Sequence, residues 1–415
     1  MHMEVYLVGG AVRDKLLGLP VHERDWVVVG ARPEELEKLG YISVGKEFPV
    51  FLHPETKEEH ALARLERKVA PGYRGFTTQF SPDVTLEDDL KRRDLTINAI
   101  AEKPSGELVD PYGGQSDIQA RILRHVSGAF IEDPVRILRL ARFAARFADL
   151  GFTVAPETLA LMKQMVASGE VDALVAERVW QETERALGEQ RPDVFFQTLR
   201  DCGALRVIFP EIDALFGVPQ PAKWHPEVDT GIHVMLALRY AAKVGAPASV
   251  RFGVLTHDLG KALTPEDILP SHRGHEEAGV PLVEALSERL RVPNGFRDLA
   301  VLCSRHHQLV HKAPELRPET MLKLFEATDA FRRPERFSEM LLVCESDARG
   351  RTGLEDRPYP QVAYLQRVRD AAAAVQLTAE ERTGLKGAEI GEKIRIRRLE
   401  AITSVRREFA GQLAT

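Results

Sequence analysis

The chain has 415 residues, 44% hydrophobic and 28% charged, with a formal net charge of -6. This describes a globular chain of about three domains, and its negative total confines any nucleic-acid surface to a local patch. No apolar run nears the ~18 residues that cross a bilayer and no leader pattern opens the chain, so no membrane partner is expected; three scattered cysteines, Cys202, Cys303 and Cys344, exclude a disulfide framework and point to a reducing, cytoplasmic compartment.

The first element is "VYLV" (Val5–Val8), an apolar run that reads as a buried strand, followed by Gly9-Gly10 and then by "AVRDKLLG", a helix-compatible stretch stopping at Gly18. A glycine doublet at a strand-to-helix turn lets backbone N–H groups approach a phosphate, and Arg13 offers a charge-assisted contact. Next comes "ERDWVVVG", read as a valine-rich strand that carries Glu23 and Asp25 on one face by its period of two. Adjacent carboxylates repel unless a cation lies between them, and hard Mg2+ takes such oxygens while bridging to nucleotide phosphates.

Further along, "KRRDLTINA" sets Arg92 and Arg93 beside Asp94 and Asn98, cations and polar groups of the kinds a triphosphate and a ribose need. "RLERKVAPGYRGF" (Arg64 to Phe76) reads as a basic mobile loop, and "DPYGG" (Asp110 to Gly114) as a hinge. In "EDPVRILRLARFAARF", Asp133 fits an N-cap and Pro134 the first helical position. Asp133 and Arg136 are three apart and so neighbours on the helix surface. A carboxylate accepts from base amino groups and a guanidinium donates to base acceptors, so such a pair can read a base edge. Arg136, Arg139 and Arg142 recur every third residue and form a drifting basic band.

The second half differs in character, with eight of the 13 histidines between His225 and His311. "DTGIHV" holds His233, "FGVLTHDLGKALT" the adjacent His257 and Asp258, "GHEEAG" His275, "RHHQLVH" His307 and "CESDARG" Asp347. Imidazoles suit nickel or another transition ion, and carboxylates hold water or bridge metals. The tail "KIRIRRLEAITSVRR" reads equally as a contact for nucleic-acid phosphates or a solvated helix.

The order GG-x-x-RD, paired acids on a strand, "EDDLKRRDLTINAIA", "DPYGG", "EDPVRILRLARFAARF" and "ERVWQE" resembles bacterial CCA-adding enzymes. These belong to the tRNA nucleotidyltransferase/poly(A) polymerase family of the DNA-polymerase-beta superfamily. The histidine–aspartate set resembles the HD phosphohydrolase superfamily, as in the multifunctional type with a C-terminal HD domain. The resemblance implies an α+β fold: a nucleotidyltransferase head on a small mixed sheet, of the five-stranded type, then all-helical neck, body, HD domain and tail. Boundaries follow as 1–115 (head), 116–224 (neck and body), 225–331 (HD domain) and 332–415 (tail, contributing Asp347).

By the same resemblance, the chain adds and repairs the 3′-terminal CCA of tRNA from CTP and ATP. Glu23 and Asp25 hold Mg2+; Glu23 stands where the family has Asp, and Glu59 is a candidate third acid. Gly10, Arg13 and Arg93 contact the nucleotide, Asp94 and Asn98 build its pocket, Asp133 and Arg136 select the base, and Arg139 and Arg142 complete the contact. His233, His257, Asp258 and Asp347 ligate Ni2+ or another divalent transition metal, with His275 and His307 as partners for metal or phosphate. The HD domain is then a 2′,3′-cyclic phosphodiesterase, 2′-nucleotidase and phosphatase, in a monomer or weak homo-oligomer. A poly(A) polymerase, or a phosphohydrolase with a nucleotide-binding but inactive head, remains the alternative.

Overall fold

The structure is a computed structural model that describes residues 3–44, 50–68 and 76–413. The chain forms two compact units, Met1–Ile208 and Phe209–Thr415.

In the first unit, β1 (Glu4–Val8) lies antiparallel to β2 (Asp25–Val29). Their neighbours are β3 (Ile42–Val44), β4 (Val50–Leu52), β5 (Glu59–Leu62), β8 (Ala101–Glu102) and β9 (Leu108–Val109). Among the described residues they make one seven-stranded mixed sheet, in the order β3-β4-β5-β2-β1-β8-β9, with only β2 and β5 parallel. The sheet is thus wider than the expected five strands, because the two- and three-residue pieces β3, β8 and β9 carry too little pattern to be read as strands. β6 (Arg64–Lys68) and β7 (Phe76–Phe80) form a separate antiparallel pair, and residues 69–75 of the expected basic loop lie outside the described residues.

Alternation along β2 gives both faces of the sheet a core. Val27 packs with Tyr6, Val8, Leu86 and Leu90, whereas Val28 packs with Leu36, Phe51 and Leu62. The first cluster includes α3 (Leu86–Lys91), the second α2 (Pro33–Lys38). β2 starts at Asp25, so Glu23 precedes the strand instead of sharing it. The cause is its partner: Val8 pairs with Asp25, and the chain turns away at Gly9.

The expected hinge at "DPYGG" is a tight cap. Asp110 accepts from the N–H groups of Gly114 (2.7 Å) and Gln115 (2.8 Å), starting α4 (Gly114–Ala120). A Cβ on Gly114 would stand 2.2 Å from the Thr96 carbonyl oxygen and 2.6 Å from Ile100, so only glycine lets α4 lie there.

α5 (Val135–Phe147) packs against α7 (Ala176–Gly188) and α8 (Pro192–Asp201). It starts one residue later than the sequence pattern suggests, though Asp133 does accept from the Val135 N–H at 3.1 Å. One chain of polar contacts fixes α5 to the head. Arg139 Nε donates to Asp94 Oδ2 (2.8 Å), Asn98 Nδ2 to Asp94 Oδ1 (3.1 Å), and Arg13 of α1 (Gly10–Leu16) to Asn98 Oδ1 (2.6 Å). Asp14 links Arg13 to Arg146.

The second unit is built of helices, chiefly Thr230–Lys243, Ala248–Thr256, His275–Arg289, Asn294–His311, Pro334–Arg349 and Gln361–Ala373. Its C-terminal helix, Gly387–Leu413, turns Ile402 inward, while its basic residues pair locally: Arg397 meets Glu381 at 2.6 Å.

Two outcomes follow for the first unit. Gly114→Ala should lower stability by about 1–3 kcal/mol in urea titration, since Thr96 backbone and Ile100 must both move. Asp94→Asn should cost about 2 kcal/mol at pH 7, below the 3–5 of a fully buried broken pair because Arg139 still meets water. Against the cost of burying it, Arg139, Asn98 and the Leu95 N–H hold the Asp94 carboxyl well below the usual range. Its stabilisation is therefore present above about pH 4 and is lost as pH falls further. The gap between wild type and Asp94→Asn should shrink on acidification, measured by unfolding at pH 7 and pH 3.

Candidate active sites

The head site is built around a turn that only glycine adopts readily: Gly9 has φ +71°. The missing Cβ also admits a cation, since a Cβ there would stand 3.0 Å from Arg93 Nη1. Arg93 pairs with Asp89 at 3.3 Å, and its buried Nε has no hydrogen-bond partner among the described residues. Asp25 lies at the exposed end of β2. Partial desolvation pushes its carboxyl up, Arg93 opposes this, and Glu23 adds to it. Those opposing influences place Asp25, Glu23 and Arg93 in one electrostatic neighbourhood. Parallel pairing sets Glu59 opposite Asp25. Open carboxylates of this kind fit a hard divalent cation that keeps part of its water shell.

The other predicted nucleotide residues are tied to protein partners. Arg13 is buried beneath the turn, donates to Asp14 and Asn98, and lies over Phe143 and Phe147 at 5.1 and 5.2 Å. Gly10 lies directly over it, where a Cβ would stand 3.3 Å from Arg13 Nη2. Arg136 donates to the carbonyls of Ala129 (2.8 Å) and Arg92 (2.6 Å), Arg139 to Asp94, and Arg142 to Glu182 (2.6 Å). The drift of one arginine every third residue thus sends each to a different partner. Asp133 receives both Nη groups of Arg178 at 3.1 and 2.8 Å. The roles of Arg178 and Glu182 were not legible in the sequence; both lie in "ERVWQE", about 45 and 40 residues from their partners.

In the second unit the predicted ligands converge. His233 Nε2 is 2.8 Å from Asp347 Oδ1, His257 Nε2 is 3.6 Å from Asp347 Oδ2, and His257 Nε2 is 3.2 Å from Asp258 Oδ2. Asp258 Oδ1 faces His275 Nε2 (3.3 Å) and His307 Nε2 (3.5 Å), which are 3.1 Å apart. Three groups of possible metal ligands result among the described residues: His233–His257–Asp347, Asp258–His275–His307 and, sharing His233, His225–Glu227–His233.

The tautomers follow from the far sides of the rings. Nδ1 of His257, His275 and His307 each meets a backbone carbonyl, of Val254 (2.7 Å), His272 (2.6 Å) and Cys303 (2.9 Å). A carbonyl only accepts, so each Nδ1 carries the proton and each neutral ring turns an Nε2 lone pair inward. His233 differs: its Nε2 donates to Asp347 Oδ1 at 2.8 Å, while its Nδ1 lies 2.9 Å from Glu227 Oε1 without a hydrogen bond among the described residues. Buried His257 Nε2 and both Asp258 oxygens lack hydrogen-bond partners among the described residues. Inward lone pairs beside buried carboxylates fit divalent cations. Burial would lower the His257 pKa, but Asp258 and Asp347 outweigh it and push it up to about 10, so these carboxylates hold either a proton on Nε2 or, in its place, a metal cation facing the neutral ring. Sequence reading passed over Lys261, 2.7 Å from Asp258 Oδ2, and His311, 2.6 Å from Asp347 Oδ2. Lys261 stands three residues after Asp258, one helical turn away, which was a usable signal.

The family model of the poly A polymerase head domain matches residues 5–124. Models of a probable RNA and SrmB-binding site of polymerase A and of the HD domain match residues 151–216 and 231–344. The multifunctional CCA protein of Thioalkalivibrio sulfidiphilus (strain HL-EbGR7) is 63% identical over 409 residues, 99% of this chain and 100% of the relative. A CCA-adding enzyme in complex with CTP shares the fold at TM-score 0.65 and 21% identity, over 100% of this chain and 92% of that one. The Thermotoga maritima CCA-adding enzyme complexed with tRNA does so at 0.59 and 21%, over 99% and 92%. A head built on a glycine turn with flanking acids, followed by a buried histidine–aspartate cluster, thus has a full-length relative, and the chain belongs to the family of the multifunctional CCA protein.

Proposed function

We propose that this protein adds and repairs the 3′-terminal CCA of tRNA from CTP and ATP, and that its HD domain hydrolyses 2′,3′-cyclic phosphates and phosphomonoesters. The observation that carries the first part is 63% identity across nearly the whole chain to a multifunctional CCA protein. Fold relatives solved with CTP, ATP and tRNA support the substrates. No described helix is long and apolar enough to cross a membrane. The working site is the cytoplasm, and the working form a monomer or weak homo-oligomer. The proposed division is 1–115, 116–224, 225–331 and 332–415.

In the head, Glu23 and Asp25 would hold Mg2+, which would supply electrostatic neutralisation of the phosphates. Arg93, reaching over the Gly9-Gly10 turn with a donor to spare, binds the triphosphate. Arg13 and Asn98 shape the pocket from below. Asp133, oriented by Arg178, and Arg136, oriented by two backbone carbonyls, present one acceptor and one donor set to the base edge. Arg139 and Arg142 hold this reader against the head and body. The tRNA 3′-hydroxyl attacks the α-phosphorus in line, the new phosphodiester forms, and pyrophosphate leaves. Glutamate in place of aspartate at position 23 retains both oxygens, one methylene further out and ahead of the start of β2.

Both domain types use divalent metals. In the HD domain His233, His257, Asp258 and Asp347 hold Ni2+ or a similar ion, which supplies Lewis acidity. His275 and His307 present lone pairs, not donors, and so suit a second cation with Asp258 better than a phosphate.

The deciding measurement is the mass of a tRNA lacking CCA after incubation with Mg2+, CTP and ATP. Growth by C, C and A is expected; a long A ladder would mean a poly(A) polymerase. No growth with retained cyclic-phosphate opening would mean a disabled head. Asp25→Ala should cut transfer by about 10³-fold, the effect of losing several kcal/mol of charge stabilisation, while hydrolysis with Ni2+ persists.

A further inference from the structure

A tryptophan is normally drawn inward by its large apolar surface. Trp224 is 52% exposed, and among the described side chains it is the only exposed Trp, Phe or Tyr. Its segment is nevertheless firmly held. Pro219 and Asp229 pair across its base, and the Gln220 N–H donates to the Val228 carbonyl. The N–H groups of Trp224 and His225 both donate to the Pro221 carbonyl at 3.0 Å. Asp229 caps the next helix through Ile232 N (2.9 Å) and also takes Gly217 N (2.6 Å).

Three links tie this segment to the histidine–aspartate cluster. His225, the next residue, is buried 3.4 Å from Glu227, which meets His233. Gln220 Oε1 accepts from Lys261 at 2.7 Å, and Lys261 meets Asp258. Arg351 Nη1 donates to the Trp224 carbonyl at 3.2 Å while its Nη2 lies 3.6 Å from Asp347 Oδ1. A single guanidinium thus spans from the backbone of the exposed indole to a metal-ligand carboxylate. Arg351 Nε and Gln220 Nε2 are buried without hydrogen-bond partners among the described residues. They are unspent donors in the shell that links this segment to the cluster. Lys223 Nζ lies 4.8 Å from the indole centroid, keeping a cation beside the ring.

A phosphate held at the cluster by its ribose carries a base several ångströms away. Every base has a π face, so an aromatic side chain binds it with little regard to sequence. We propose that Trp224 is the stacking platform for the terminal base of an RNA 3′ end whose 2′,3′-cyclic phosphate occupies the histidine–aspartate cluster, with Arg351 holding platform and cluster in register. This rests on the phosphohydrolase reading of the HD domain. It makes Trp224 a specificity residue: it distinguishes a nucleotide from any other cyclic phosphodiester and tolerates whichever nucleotide ends a damaged tRNA.

The test compares wild type, Trp224→Ala and Trp224→Phe, loaded with Ni2+, on 2′,3′-cyclic AMP and on base-free glycerol 1,2-cyclic phosphate. The ratio of kcat/KM for the two substrates should fall about tenfold in Trp224→Ala, through KM, and recover largely in Trp224→Phe. An unchanged ratio overturns the platform. A tRNA ending in the same cyclic phosphate should show the same loss; a loss confined to the mononucleotide overturns the RNA assignment. If wild type opens neither cyclic phosphate, the phosphohydrolase reading fails by itself. The platform is then judged by tryptophan fluorescence, the chain having three tryptophans. Quenching by 3′-AMP that disappears in Trp224→Phe sustains it, and quenching equal in both proteins, or absent from both, overturns it.

Discussion

A carboxylate taken out of water must find cations or hydrogen-bond donors close by, and both units of this chain are organised by that requirement. In the first unit Asp94 is the carboxylate, and its oxygens take Arg139, Asn98 and a backbone N–H. These contacts join the strand-to-helix turn and α5, so Arg13, Asn98 and Arg139 keep their places because Asp94 is satisfied. In the second unit Asp258 and Asp347 are held well below the ordinary carboxylate range against the cost of burial, with His257 the foremost opposing influence. There the oxygens are not all satisfied by protein. Asp258 keeps two buried oxygens without hydrogen bonds, and that deficit distinguishes a cluster suited to metal from one that only stabilises the fold.

The two sites solve the orientation problem differently. In the head, arginines are held from behind by acids and carbonyls, so that few donors remain free and each is fixed. Arg93 is the example with a buried donor to spare. In the HD domain His257, His275 and His307 are held from behind by backbone carbonyls earlier in the chain, those of Val254, His272 and Cys303. Every Nδ1 so engaged commits the opposite nitrogen to the interior. A guanidinium has several donors to divide between holding and binding, whereas an imidazole has one nitrogen for each task.

Much of this was legible in the residues. The glycine doublet at a strand-to-helix turn and the convergence of His257 and Asp258 with His233 and Asp347 follow from short windows, whereas Glu23 falls outside the strand it was expected to share and Asp133 stands ahead of α5 and meets Arg178. The width of the sheet was not legible, because β8 and β9 have two residues each and form only where β1 offers an edge. The close packing at "DPYGG" was not legible for a related reason: Gly114 meets Thr96 and Ile100, which lie well before it in the chain.

The sequence by itself determined which groups are present and which neighbours share a turn or a strand, since those relations depend on spacing alone. Only the tertiary structure decided what each group faces. It put Arg178 on Asp133, Glu182 on Arg142, Glu227 on His233 and Arg351 between Trp224 and Asp347. Apart from Glu227 on His233, six residues on, these partners lie 40 or more residues apart, or, for Arg351, bridge two distant segments. Their pairing is set by how helices pack and by the cost of leaving a buried charge alone, neither of which a local pattern records.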